Sequence, residues 1–201
     1  MSVKCRVVKE GVSKPVSSAL IAGVFLTLAV NACDGGRNTA QSTVSADLAP
    51  VRDRVPYLCD LVPEVEFRRV TGLTMQLSAQ WNGPQKDSGL CVAHAKGRQP
   101  PLGIQWDFDD GEKVLRENRP SFPDSAHTLP ADLGTGFARP DSIKVRPNYV
   151  ISLFRCGDKQ PWLSIDFAPV VRGRDPVQDM FAFMRIAQNR FGELHKCTPR
   201  P

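Results

Sequence analysis

Tyr149-Val150-Ile151-Ser152-Leu153-Phe154-Arg155-Cys156, then Gly157-Asp158-Lys159, then Trp162-Leu163-Ser164-Ile165-Asp166-Phe167 places two runs of β-branched, leucine and aromatic residues on either side of a turn. This pattern predicts an antiparallel β-hairpin. Downstream, Asp175 supplies an N-cap acceptor, Pro176 suits the first helical position, and Gln178 at the third completes a capping box. Val177, Met180, Phe181, Met184, Ala187 and Phe191 recur at helical spacing and form one apolar face to lay on a sheet. A hairpin followed by an amphipathic helix points to an α+β domain, an antiparallel sheet with helices on one face.

Upstream, Pro63 suits the first turn of a short helix in which Val62, Val65, Phe67 and Val70 supply apolar contacts and Gly72 after Thr71 is the stop. From Leu73 the period becomes two: Leu73, Met75, Leu77 and Ala79 alternate with polar residues to Trp81, predicting a half-buried strand that Asn82-Gly83-Pro84 breaks. Gly89–Ala95 and Gly103–Phe108 are further strand candidates, and Asp109-Asp110-Gly111 is read as a turn into a hairpin partner at Glu112–Arg116. Residues 118–140 carry four prolines, Gly134 and Gly136 and little apolar order, which predicts a long loop. Strand character returns at Ile143 and Val145.

The chain opens differently. Lys4, Arg6, Lys9 and Lys14 precede an uncharged run from Ser17 to Val30, the shape of a secretory signal peptide over residues 1–32. About 14 apolar residues fall short of the ~20 a bilayer span needs, so a cleaved leader is expected. Val30, Ala32 and Cys33 then resemble the lipobox of bacterial lipoprotein precursors, with Asn31 at the variable position. That resemblance implies that Cys33 becomes the mature N-terminus and carries a diacylglyceryl thioether, usually with a third, amide-linked acyl chain. Two or more chains anchor a protein stably where one does not. Polar, small residues after Cys33 predict a flexible tether over 33–55, with a single extracytoplasmic domain over 56–201.

The leader also accounts for most of the basic balance. All 201 residues carry 26 Lys and Arg against 21 Asp and Glu, a net of +5; beyond residue 32 the counts are 22 and 20, a net of +2. Such a near-neutral chain gives no support to nucleic-acid binding, which wants a dense basic face.

Of six cysteines, Cys5 leaves with the leader and Cys33 is claimed by lipid, leaving Cys59, Cys91, Cys156 and Cys197. An even number in an exported chain predicts two disulfides. Four cysteines allow three connectivities; proximity along the chain favours Cys59 with Cys91 and Cys156 with Cys197. A C-x-x-C pair, as a zinc site would use, is absent.

No hydrolase, metalloprotease or P-loop signature is present, and His94, His127 and His195 are scattered. Asp107, Asp109 and Asp110 before Gly111 miss the calcium-loop spacing by one residue; they are read as an acidic turn in which Gly111 takes the positive backbone angle. Arg172 and Arg174 are read as solvated loop charges, and Trp81, Trp106 and Trp162 as core residues unless they line an apolar cavity. No cofactor or metal is expected.

The lipobox, the tether, the Cys59-Asp60-Leu61-Val62 start of a helix closing on Thr71-Gly72, and Ser88-Gly89-Leu90-Cys91 together resemble the small extracytoplasmic lipoproteins of unknown function from high-GC Gram-positive (actinobacterial) bacteria. The resemblance implies an α+β domain, a Cys59–Cys91 disulfide and a place on the outer face of the cell membrane, and it transfers no catalytic residue. The expected function is a non-enzymatic binding or accessory module of the cell envelope, touching the membrane through its lipid and an envelope protein or lipid as partner. Its presented face is expected around Phe122 to Phe137. The alternatives are a lipoprotein that binds a lipid or small molecule and an envelope enzyme assembled from distant residues.

Overall fold

A computed structural model describes residues 47–83, 85–118, 126–140 and 145–201. The leader, Cys33 and the tether as far as residue 46 lie outside the described residues, as do Phe122 and Ile143. The α+β class holds. A seven-stranded antiparallel sheet is built from β3 (Leu77–Asn82), β4 (Ser88–Ala95), β5 (Leu102–Asp107), β6 (His127–Thr128), β7 (Thr135–Arg139), β8 (Asn148–Leu153) and β10 (Trp162–Phe167), in the order β3-β4-β5-β10-β8-β7-β6. Two small ribbons accompany it: β1 (Tyr57–Leu58) with β2 (Val62–Pro63), and β9 (Arg155–Cys156) with β11 (Pro199–Arg200).

The helices are α1 (Glu64–Thr71), α2 (Gly111–Asn118) and α3 (Pro176–His195). Asp175 caps α3, its carboxylate accepting from the amides of Val177 at 2.9 Å and Gln178 at 3.2 Å. The apolar face of α3 packs on the sheet face formed by Val150, Leu163, Ile165 and Phe167, with Phe67 of α1 sharing the same core. Phe67, Phe167 and Phe183 form one aromatic group, and Trp106, Phe108 and Phe191 another. One polar residue on α3 fixes its position: buried Gln188 donates to the Ser152 hydroxyl at 2.7 Å and to the Leu133 carbonyl at 3.0 Å.

The 149–167 hairpin forms as β8 and β10, which pair from Trp162 with Leu153 to Phe167 with Asn148; its tip departs as the separate β9 ribbon. Both favoured disulfides are present, Cys59–Cys91 and Cys156–Cys197, with Cα atoms 5.9 and 5.3 Å apart. The second joins the hairpin tip to the tail beyond α3.

Several local expectations are corrected. Pro63 is the N-cap of α1 rather than part of its first turn, and Val65 points outward. Leu73–Gln76 is not strand, because the Arg68 side chain takes the carbonyls of Leu73 and Thr74 and diverts the chain before β3. Residues 112–116 are helix α2, not a hairpin strand: the far edge of β5 is already occupied by β10, so a partner strand has no place there. Val145 lies outside strand, and β8 begins at Asn148, whose side chain donates to the Ala168 carbonyl.

The predicted loop 118–140 contains β6, a 3₁₀ turn at Ala131–Leu133 and β7, with Phe137 and Ala138 buried. Its glycines serve close packing rather than looseness. A Cβ at Gly136 would lie 2.0 Å from the Ile151 carbonyl oxygen of β8, and one at Gly134 2.3 Å from that of Leu153. Gly136→Ala is therefore expected to destabilise the domain by about 2 kcal/mol, as overpacking against fixed backbone does. Urea unfolding checks this, and an unchanged midpoint would show that β7 can move away from β8.

Candidate functional site

Side chains alternate across the sheet, so residues of β8 and β10 that do not face α3 point to the opposite face. At one end that face is apolar: Phe137, Ile151, Leu153 and Trp162 cluster beneath Val114 and Leu115 of α2. Beyond them it is polar. Asp166 of β10 stands cross-strand from Tyr149 of β8 on one side and Gly103 of β5 on the other. Arg146, just ahead of β8, ion-pairs with Asp166. Gly103 makes room for them, since a Cβ there would lie 2.4 Å from Asp166 Oδ1 and 2.8 Å from the Arg146 guanidinium.

Burial pushes the Asp166 carboxyl above the usual carboxylate range, against the opposing pull of Arg146. Burial also raises the Tyr149 hydroxyl, the nearby Asp166 charge adds to the rise, and a hydrogen bond with Ser164 offsets part of it. Arg139, cross-strand from Tyr149, is only 3% exposed, and its burial lowers its pKa. Shifted titratable groups gathered on one face make this a candidate site. Chemically the cluster offers guanidinium and phenol donors around a carboxylate, a set suited to holding a polar ligand.

The residues singled out from sequence are dispersed. His94 is exposed on β4, His127 lies on β6, and His195 packs at the end of α3 with its ring centroid 4.1 Å from that of Phe191. Burial lowers the His195 pKa, helped by Lys159. Trp106 and Trp162 are core residues, Trp162 donating to the Asp109 carbonyl at 3.0 Å, while Trp81 donates to Asp60 at 3.1 Å.

The acidic turn is a helix start: Asp107 accepts from the Asp109 amide at 2.7 Å, and the positive angle belongs to Asp110, φ 58°, not Gly111. Gly111 is needed for space, because a Cβ would meet Leu153 at 2.3 Å. Among the described residues no group of three or more His, Cys, Asp or Glu is placed to hold a metal ion. Phe137 is core, so the presented face expected around Phe122 to Phe137 is not formed at that end.

Arg174 is not a solvated charge. Its side chain is 4% exposed, ion-paired to Asp179 in α3 and bonded to the carbonyls of Asp47 and Ala49. Arg69 of α1 takes the carbonyls of Asp47, Ala49 and Pro50 as well. Residues 47–50, read from sequence as tether, are thus strapped to the domain by two arginines. Glu66, fully buried in α1, pairs with Arg69 and Arg54. Burial pushes its carboxyl up, but the hydrogen bond and charge of Arg69, the Arg52 amide and Arg54 together outweigh this and hold it below its ordinary value.

This network joins residues far apart in the chain. Its one local trace is the Glu66 and Arg69 spacing on a short helix. Comparison of the chain with protein-family models, with curated proteins and with solved structures returned no match.

Proposed function

We propose that the chain is a membrane-anchored extracytoplasmic lipoprotein that acts as a non-enzymatic binding or accessory module of the cell envelope. The observation that carries this reading is the pair of disulfides, a covalent framework that persists in oxidising compartments outside the cytoplasm. The leader and the Val30–Cys33 lipobox support the same address. Lipidation at Cys33 and the polar segment that follows it hold the stapled domain near the outer face of the membrane.

The Tyr149, Asp166 and Arg146 cluster favours one form of this function, recognition of a polar small molecule on the sheet face turned away from α3. Fractionation of cells in which the chain is processed tests the anchor. Wild-type protein is expected with the membranes and Cys33→Ala in the soluble extracellular fraction; a variant that stays with the membranes as wild type does would overturn the reading.

A further inference from the structure

The ribbon of β9 and β11 contains an arrangement that its own stability does not explain. Arg155 and Arg200 are directly opposed in the antiparallel ladder, and both are exposed. Opposed residues of such a pair project to the same face with Cβ atoms about 5 Å apart, and like charges placed so repel. Seven other arginines have an acid beside them: Arg54 and Arg69 have Glu66, Arg68 has Glu64, Arg146 has Asp166, Arg174 has Asp179, Arg185 has Asp132 and Arg190 has Glu193. Arg155 and Arg200 make no ion pair or side-chain hydrogen bond among the described residues.

Both arginines line one groove of about 810 Å³, with Gly157, Asp158, Thr198 and Pro201. Asp158, at the hairpin tip, shares the groove without closing on either guanidinium. The walls are firmly set. The Cys156–Cys197 disulfide ties one strand to the other, and Cys156 and Lys159 exchange backbone hydrogen bonds of 2.9 and 3.3 Å across the tip. The tail lies on α3, where the Cys197 amide donates to the Gly192 carbonyl at 2.9 Å and a Cβ at Gly192 would meet Pro199 at 2.5 Å. The two strands that carry Arg155 and Arg200 are therefore fixed beside one another, and paired guanidiniums on one face suit an oxyanion.

We propose that this groove binds a phosphate dianion, clamped between Arg155 and Arg200 with the Thr198 hydroxyl as a further donor. The two guanidiniums outweigh the single Asp158 carboxylate in the groove, and guanidinium groups suit phosphate oxygens better than ammonium groups do. The phosphate can come from a soluble phosphomonoester or from a lipid headgroup, and the two sources are separable by experiment.

Titration of the disulfide-intact domain with inorganic phosphate, followed by backbone amide NMR, is expected to show one saturable set of shifts at residues 155–158, Thr198 and Arg200. Arg155→Gln and Arg200→Gln are each expected to weaken the affinity at least tenfold, whereas Arg172→Gln, on the loop before α3, leaves it unchanged. A second measurement separates binding from folding. Without phosphate either glutamine variant melts at or above the wild-type temperature, because the repulsion is relieved, and a given phosphate concentration raises the melting temperature of wild type more than that of either variant.

Vesicles of phosphatidylcholine containing phosphatidic acid, set against phosphatidylcholine alone, identify the source. Arginine-dependent binding to the former beyond that seen with free phosphate assigns a lipid headgroup, and its absence assigns a soluble ligand. Shifts that do not saturate, or phosphate binding that survives in the double variant, would overturn the proposal.

Discussion

Arg174→Ala is expected to lower the stability of the domain by about 3–5 kcal/mol, the cost of leaving a buried charge without its partner. Both members of the Arg174 and Asp179 pair are nearly inaccessible, at 4% and 6% side-chain exposure, so water cannot replace the lost guanidinium. The same substitution removes donors from the carbonyls of Asp47 and Ala49, so the strap should loosen along with the core. Hydrogen exchange in residues 47–55 is expected to accelerate in the folded variant, an effect that a simple loss of global stability would not confine to that segment. Arg185→Ala is the matched control. Its pair with Asp132 is about half exposed, and its loss should cost less than about 1 kcal/mol. Urea unfolding of the two variants decides: equal destabilisation would mean that Arg174 is an ordinary surface charge after all.

Removal of either disulfide is expected to cost about 4 kcal/mol in the chain-entropy relation, since the two bonds close segments of similar length, 32 and 41 residues apart in sequence. Double alanine variants, Cys59→Ala with Cys91→Ala and Cys156→Ala with Cys197→Ala, test this without leaving a lone thiol. The two bonds should differ in accessibility. Cys59 and Cys91 are 2% and 0% exposed beneath the β1 ribbon and β4, whereas Cys197 sits half-buried beyond α3. A mild reductant followed by alkylation and peptide mapping is therefore expected to label Cys156 and Cys197 first. Labelling of Cys59 and Cys91 ahead of them would contradict this ordering.

The parts of the fold that could be read in the sequence are those whose signal is local. The β8 and β10 hairpin shows in its β-branched and aromatic runs, and α3 shows in a cap, a proline and an apolar repeat that all agree. The parts that were misread depend on neighbours distant in sequence. Glu112–Arg116 is compatible with either helix or strand, and what decides is that β10, arriving some fifty residues later, takes the edge of β5.

Gly134 and Gly136 suggest a loop until the β8 carbonyls that press on them are in place. The candidate site was less legible than the fold. Asp166 and Tyr149 are inside the stretch that identifies the hairpin, yet only the register sets them side by side and brings Arg146 to them. Arg174, flanked by glycine and an N-cap, has the local character of a solvated residue and is buried only because the strap folds over it.

We propose that this stapled domain is carried outside the cell on a lipid attached to Cys33. Intact-mass and peptide mass spectrometry of the protein, recovered from the envelope of a host that processes it, decides whether the anchor is present. The prediction is a chain that begins at Cys33 and carries the added mass of a diacylglyceryl group on its sulfur. A chain that begins elsewhere, or an unmodified Cys33, would contradict it.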